Sequence, residues 1–282
     1  MSYIQAGGNF VATGSFIGDT AGGGSGPPPY VAKAVQADGN VTVATVGNLV
    51  ATGDNTGYAS HSFWYKWAPP IGGVQQYGSG QFFAVDPQAT YTSQMDGDQR
   101  SDGGSTPQPQ FWDAPSVLFC QDTSLTTTDD GNWHHILTSV QTDFASTSKI
   151  MQIYIDDVDA FNPTVGPTGF YVSDPAFIMQ WNGLPLWFFN DGNQLPGGAY
   201  VGGAADWWLA PGVFMDWSVT ANRRMFISAA GKPVNPSGFP PAAVLFSGDA
   251  SSFADNQGTG GPTTTTTGTL TTIAGPVTAG SP

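Results

Sequence analysis

Residues 132–161 read NWHHILTSVQTDFASTSKIMQIYIDDVDAF, two alternating runs on either side of a polar connection. In the first run Trp133, His135, Leu137 and Ser139 fall on one face of an extended chain, and His134, Ile136, Thr138 and Val140 on the other. In the second, Met151, Ile153 and Ile155 oppose Gln152, Tyr154 and Asp156. Each run reads as a half-buried strand, with Trp133 buried where the first begins. The connecting residues 143–148 are mostly small or polar, so the chain can reverse there without burying unpaired backbone groups. A hairpin is predicted.

Working outward, residues 60–67 (SHSFWYKW) set Phe63, Tyr65 and Trp67 opposite Ser62, Trp64 and Lys66, an aromatic strand dense enough for the middle of a sheet. Short strands are also expected at 40–50, 81–85, 117–121, 177–180, 186–189 and 242–246. Val213, Met215 and Trp217 alternate with Phe214 and Asp216, predicting one more. Ser218 or Thr220 would then cap a short helix through residues 222–227, stopped by Gly231 ahead of Lys232 and Pro233. Residues 95–110 are polar and rich in Gly and Pro, as a surface loop would be.

The chain divides into an N-terminal arm and Gly/Pro linker (1–39, containing AGGGSGPPPY), a main domain (40–232) and a C-terminal extension (233–282). The extension carries a Thr run at 263–267, which favours a strand. From about Ile273 no packing signal is present, and that tail is expected to order only under the cover of a neighbour.

Composition supports many strands joined by turns. Gly (38) and Pro (22) exceed a fifth of the 282 residues, and nine Trp with eighteen Phe demand a core large enough to hold them. Only 10% of residues are charged, and the net charge is −14, so phosphate backbones and anionic membrane surfaces are poor partners. Polar surface must come from Ser, Thr, Asn, Gln and backbone, which suits contact with copies of the chain or with neighbouring proteins. The single cysteine, Cys120, lies in an apolar run and reads as a buried thiol. Residues 1–10 lack the basic and apolar stretches of a secretory signal, and no apolar run approaches ~18 residues, the length of a membrane span.

The pairing of WHHI with IYIDD resembles that of laminin-G-like and concanavalin A-like jelly rolls, and SFWYK at 62–66 is similar to their aromatic strand. Asp157 stands where those families usually have Gly, which leaves the form of the turn open. Residues 206–233, DWWLAPGVFMDWSVTANRRMFISAAGKP, resemble a stretch recurring in phage-encoded jelly-roll proteins of the virion. The positions carrying these resemblances are Trp133, His134, His135, Asp156, Asp216, Asn222, Arg223 and Arg224. Together they imply an all-β fold, a two-sheet antiparallel jelly-roll sandwich with one short helix near 218–230.

Catalytic chemistry finds little support. All 21 acidic residues are Asp, whereas jelly-roll glucanases generally work with two glutamates. Asp156 with Asp157, or Asp206 with Asp216, could replace such a pair in principle, but strand neighbours face opposite sides. No G-x-S-x-G elbow or P-loop occurs, and three histidines, two of them adjacent, do not make a zinc site. Calcium is the better candidate cofactor, through Asp96, Asp98 and Asp102 in one loop or Asp156, Asp157 and Asp159 in another.

The reading that follows is a non-enzymatic phage virion structural protein. It would be exposed on the capsid or a tail-associated surface and act through contacts with copies of itself and other virion proteins. The rival is a glycan-binding adhesin, stacking host-surface sugars on a platform drawn from Trp64, Trp112, Trp207 and Trp208 on the concave face. Arg223 and Arg224, the one adjacent basic pair, are expected to be a solvated helix face or partners of Asp216 or of another protein's carboxylate.

Overall fold

The structure is a computed structural model that describes residues 2–6, 9–13, 30–38, 40–46, 58–67, 80–85, 94–97, 109–113, 117–121, 131–141, 150–160, 186–189, 200–259 and 261–280. Its early strands are β1 (Ser2–Ala6), β2 (Asn9–Thr13), β3 (Lys33–Asp38), β4 (Thr42–Val46), β5 (Tyr58–Trp67), β6 (Gly80–Val85), β7 (Gln94–Gly97), β8 (Pro109–Asp113) and β9 (Val117–Gln121). There follow β10 (His134–Gln141), β11 (Ile150–Ile155), β12 (Val158–Asp159), β13 (Leu186–Phe188), β14 (Val201–Pro211), β15 (Val244–Phe246), β16 (Thr263–Thr267) and β17 (Thr271–Ala274). One turn of helix, α1 (Thr220–Arg223), interrupts them.

These strands build two large antiparallel sheets. The order β12-β11-β10-β5-β14-β3-β17 forms one, with β15 beside the second half of β14, and β16-β4-β13-β6-β7-β8-β9 forms the other. The chain passes repeatedly from sheet to sheet, β3 to β4 to β5 and again β12 to β13 to β14, which closes a jelly-roll sandwich. Among the described residues, β1 and β2 pair only with each other. The predicted hairpin is present as β10 with β11, in a register that sets Ile136 against Ile155 and Gln141 against Ile150. The aromatic strand β5 lies between β10 and β14, in the middle of its sheet.

The interior between the sheets is filled from both sides, by Val35, Phe63, Ile136, Ile153, Trp207 and Phe246 on one and Val43, Leu186 and Phe188 on the other. A β-bulge in β14, where the register against β5 shifts between Ala205 and Trp208, inserts Asp206 at φ +47°. The extra residue restores alternation so that Trp207 enters this core, stacked on Phe63 at 4.4 Å. Trp208 is left on the opposite face.

That opposite face is covered as well. Leu137, Tyr154 and Trp208 pack under Met215, Trp217, Met225 and Phe226, while Trp64, Trp133 and Ala205 pack with Ile227. The expectation of half-buried strands is corrected here, because residues 133–139 of the first run are buried on both sides. Residues 213–217 do not form the predicted strand. They cross the sheet instead, with their backbone held by hydroxyls: Met215 N–H donates to Ser60 Oγ (2.7 Å), Ser60 Oγ donates to the Val213 carbonyl (2.9 Å), and Ser139 Oγ to that of Met215 (2.6 Å).

The C-terminal extension supplies the added strands expected of it, β15, β16 and β17, to the two sheets. Three further expectations are revised. Residues 33–38, assigned to the arm, are strand β3 against β14. The tail is covered by the chain itself, since Ile273 and Ala279 pack near Trp133 and Gly280 N–H donates to the Trp133 carbonyl at 2.7 Å. The ends of the loop expected at 95–110 lie in strands, with Asp96 paired to Gln110 between β7 and β8. The connection 143–148, the strand expected at 177–180, Asp98 and Asp102 lie outside the described residues. For Asp96, Trp112 and Cys120 the backbone alone is described.

Candidate functional site

The residues singled out by sequence converge beside the turn between β11 and β12. Ile155 pairs with Val158, so Asp156 and Asp157 form a two-residue turn, with φ +53° and +68°. Asp tolerates this left-handed geometry where Gly is usual. Asp156 Oδ2 lies 2.7 Å from His134 Nδ1, and its Oδ1 accepts from the His135 backbone N–H at 2.8 Å. Asp157 is held by two guanidiniums, from Arg223 Nε at 2.6 Å and from Arg224 at 2.5 Å. Burial works to raise the Asp157 pKa, but the hydrogen bonds from Arg224 and Arg223 outweigh it and leave the carboxyl below its ordinary value.

The helix that brings the arginines is held from below. Asp216 accepts from Gln152, from the Ser218 backbone and from the Ser218 hydroxyl, while Asn222 donates to the Asp216 carbonyl at 2.8 Å. Neither Ser218 nor Thr220 caps the helix: Val219 occupies that position without a side-chain bond. Arg223 also covers the Tyr154 ring at 4.6 Å and donates to the Trp217 carbonyl. The arginine pair is thus neither a solvated face nor a partner of Asp216. It ties the crossing segment to the turn.

This arrangement leaves the acidic turn ill suited to a cation, because both oxygens of Asp157 and both of Asp156 already have donors or an imidazole partner. Among the described residues, no group of three His, Cys or Asp side chains is placed to hold a metal ion. Asp159 lies 3.5 Å from the Tyr154 hydroxyl. Among the same residues, no helix is long and apolar enough to cross a membrane.

The histidines are interior. His135 Nε2 contacts Ser62 Oγ at 3.0 Å, and burial holds its pKa down to about 3 against the charges of Asp156 and Asp157. His61 stacks on Phe63 at 4.6 Å, and burial, then neighbouring His135, keeps it well below the ordinary value. The expected sugar platform is corrected by the same burial. Trp64, Trp207 and Trp208 are at most 1% exposed. Trp208 spends its indole N–H on the Pro240 carbonyl at 2.8 Å and meets Phe226 edge-on.

A different concavity was missed by sequence reasoning. A cleft of about 370 Å³ is lined by Tyr30, Asn235, Ser237, Phe239, Ser247 and Gln257 among others, and no charged side chain lines it. Behind its wall lies Asp206, whose Oδ1 accepts from Tyr30 and Ser247, each at 2.8 Å, while Oδ2 is buried without a partner. Burial pushes the Asp206 carboxyl up to about 7, opposed by those two hydroxyls. The only sequence signals were the bulge-forming Ala-Asp-Trp run and the Pro-rich stretch 233–241, and neither connects to the other until the chain is folded.

No protein-family model matches the chain, and no curated protein matches it in sequence. Among solved structures it is similar to the mouse laminin alpha1 chain, domains LG4-5, with a TM-score of 0.40 at 14% identity, covering 64% of this chain and 43% of that chain. The chain therefore spans less than half the length of that structure.

Proposed function

We propose that the protein is a non-catalytic structural component of a phage particle, exposed on the capsid or a tail-associated surface and working through contacts with copies of itself and other virion proteins. The observation that carries this reading is the internal use of its chemistry. Among the described residues, the histidines, the turn aspartates, the arginine pair and the buried aromatic side chains are engaged in holding the two sheets and their cover together. Such internal use of their chemistry supports association rather than turnover. The sequence resemblance of residues 206–233 supports the virion setting, and the acidic balance disfavours nucleic acid. Quantitative mass spectrometry of purified particles should find the chain at a fixed copy number. Its absence from particles would overturn the reading.

The cleft beside Tyr30 supports a second reading, glycan-binding, at a place other than the expected platform. Neutral hydroxyl and amide groups next to Phe239 and three prolines suit a sugar ring. Glycan-array binding lost on Tyr30→Ala would favour it; an array without signal would remove it.

A further inference from the structure

We infer that strand β16 is a contact edge through which two copies of the chain pair antiparallel, joining their sheets. The inference deepens the assembly reading above and rests on it for its biological setting, though not for its chemistry. β16 closes one sheet, with β4 on its inner side. Among the described residues its outer edge meets no backbone partner. An edge of this kind presents a row of N–H and C=O groups that only another strand or water can satisfy.

The devices that ordinarily blunt an edge are missing. β16 is five threonines without Pro, charge or bulge, and four of the five are exposed. Thr264 alone turns inward, donating to the Ala254 carbonyl. Gly268 at φ +84° carries the chain past Asn40 and out of the strand toward β17.

Two features specify a second copy as the occupant. A run of identical residues reads the same in both directions, so antiparallel pairing about a two-fold axis through Thr265 sets Thr against Thr along the strand, a favourable cross-strand pair. Charge adds the second. In a chain of net charge −14, residues 256–282 hold no Asp, Glu, Lys or Arg, so like-charged copies approach through this stretch at low electrostatic cost. A single strand pair buries less than the ~1,000 Å² of a stable interface, so association in solution is weak and rises with concentration.

Sedimentation of the full chain up to about 1 mM should show reversible growth from the 29.4 kDa monomer to a dimer. Thr265→Lys and Thr265→Asp, at the exposed middle of the strand, should each stay monomeric with unchanged melting temperature, and an equimolar mixture should recover the dimer. Wild type that is monomeric throughout, or variants that dimerise as wild type does, would overturn the inference. Particle composition is an independent readout: a chain present in particles but monomeric in solution keeps the assembly reading and loses this edge. A dimer broken by Thr265→Lys in a chain absent from particles does the reverse.

Discussion

At the scale of single residues, two carboxylates and an imidazole behave in three ways because of what surrounds them. Asp157 is shared by Arg223 and Arg224 with side chains 12% and 24% exposed, so Asp157→Asn should cost about 1–3 kcal/mol, measured as a lower urea midpoint with unchanged slope. Asp206 is raised to about 7 from an unfolded value of 3.8. Its contribution is fully present below about pH 4 and is lost as pH rises through 7, where the charge must sit beside a partnerless Oδ2. Stability of Asp206→Asn relative to wild type should therefore climb between about pH 4 and 7, by up to about 1.4 kcal/mol per pH unit, and be level on either side. His135 runs the other way. Its folded pKa, about 3, lies below the unfolded 6.5, so its contribution is whole above 6.5 and declines as pH falls toward 3. Sequence named these residues without their partners: nothing in the spacing of Asp157 and Arg223, 66 positions apart, announces that they meet.

At the scale of elements, alternation found the strands but not what covers them. The hairpin of β10 and β11 and the central aromatic strand β5 were legible from their alternation, and β16 from the strand preference of its threonines. Residues 213–217 carry the same alternation and form no strand, since serine hydroxyls on β5 and β10 take their backbone bonds. The bulge at Asp206 was equally hidden, being a matter of register between β14 and β5. Close packing under the cover can be tested at Gly203, where an added Cβ would lie 2.8 Å from the Trp133 ring and 2.9 Å from Ile273. Gly203→Ala should destabilise by about 1–3 kcal/mol. Because both clashing groups anchor the tail, limited proteolysis near residues 275–280 should quicken in the same variant.

At the scale of the whole molecule, one sheet of the sandwich is enclosed twice, by the facing sheet and by residues 213–246 with the tail. A surplus of tryptophan and phenylalanine suggested a ring-stacking surface as readily as a core, and composition could not decide between them. The third layer decides it for Trp64 and Trp208, as the facing sheet does for Trp207, and with them the residues that suggested chemistry become struts. Hydrogen exchange read by mass spectrometry on the full chain tests this enclosure most directly. The amides of β5, β10 and β14 should exchange last and as one unit, with Met215 slowed alongside them although it belongs to no strand. Rapid exchange at Met215 together with early opening of β5, β10 and β14 would mean that the covered face is open, and the account would be wrong.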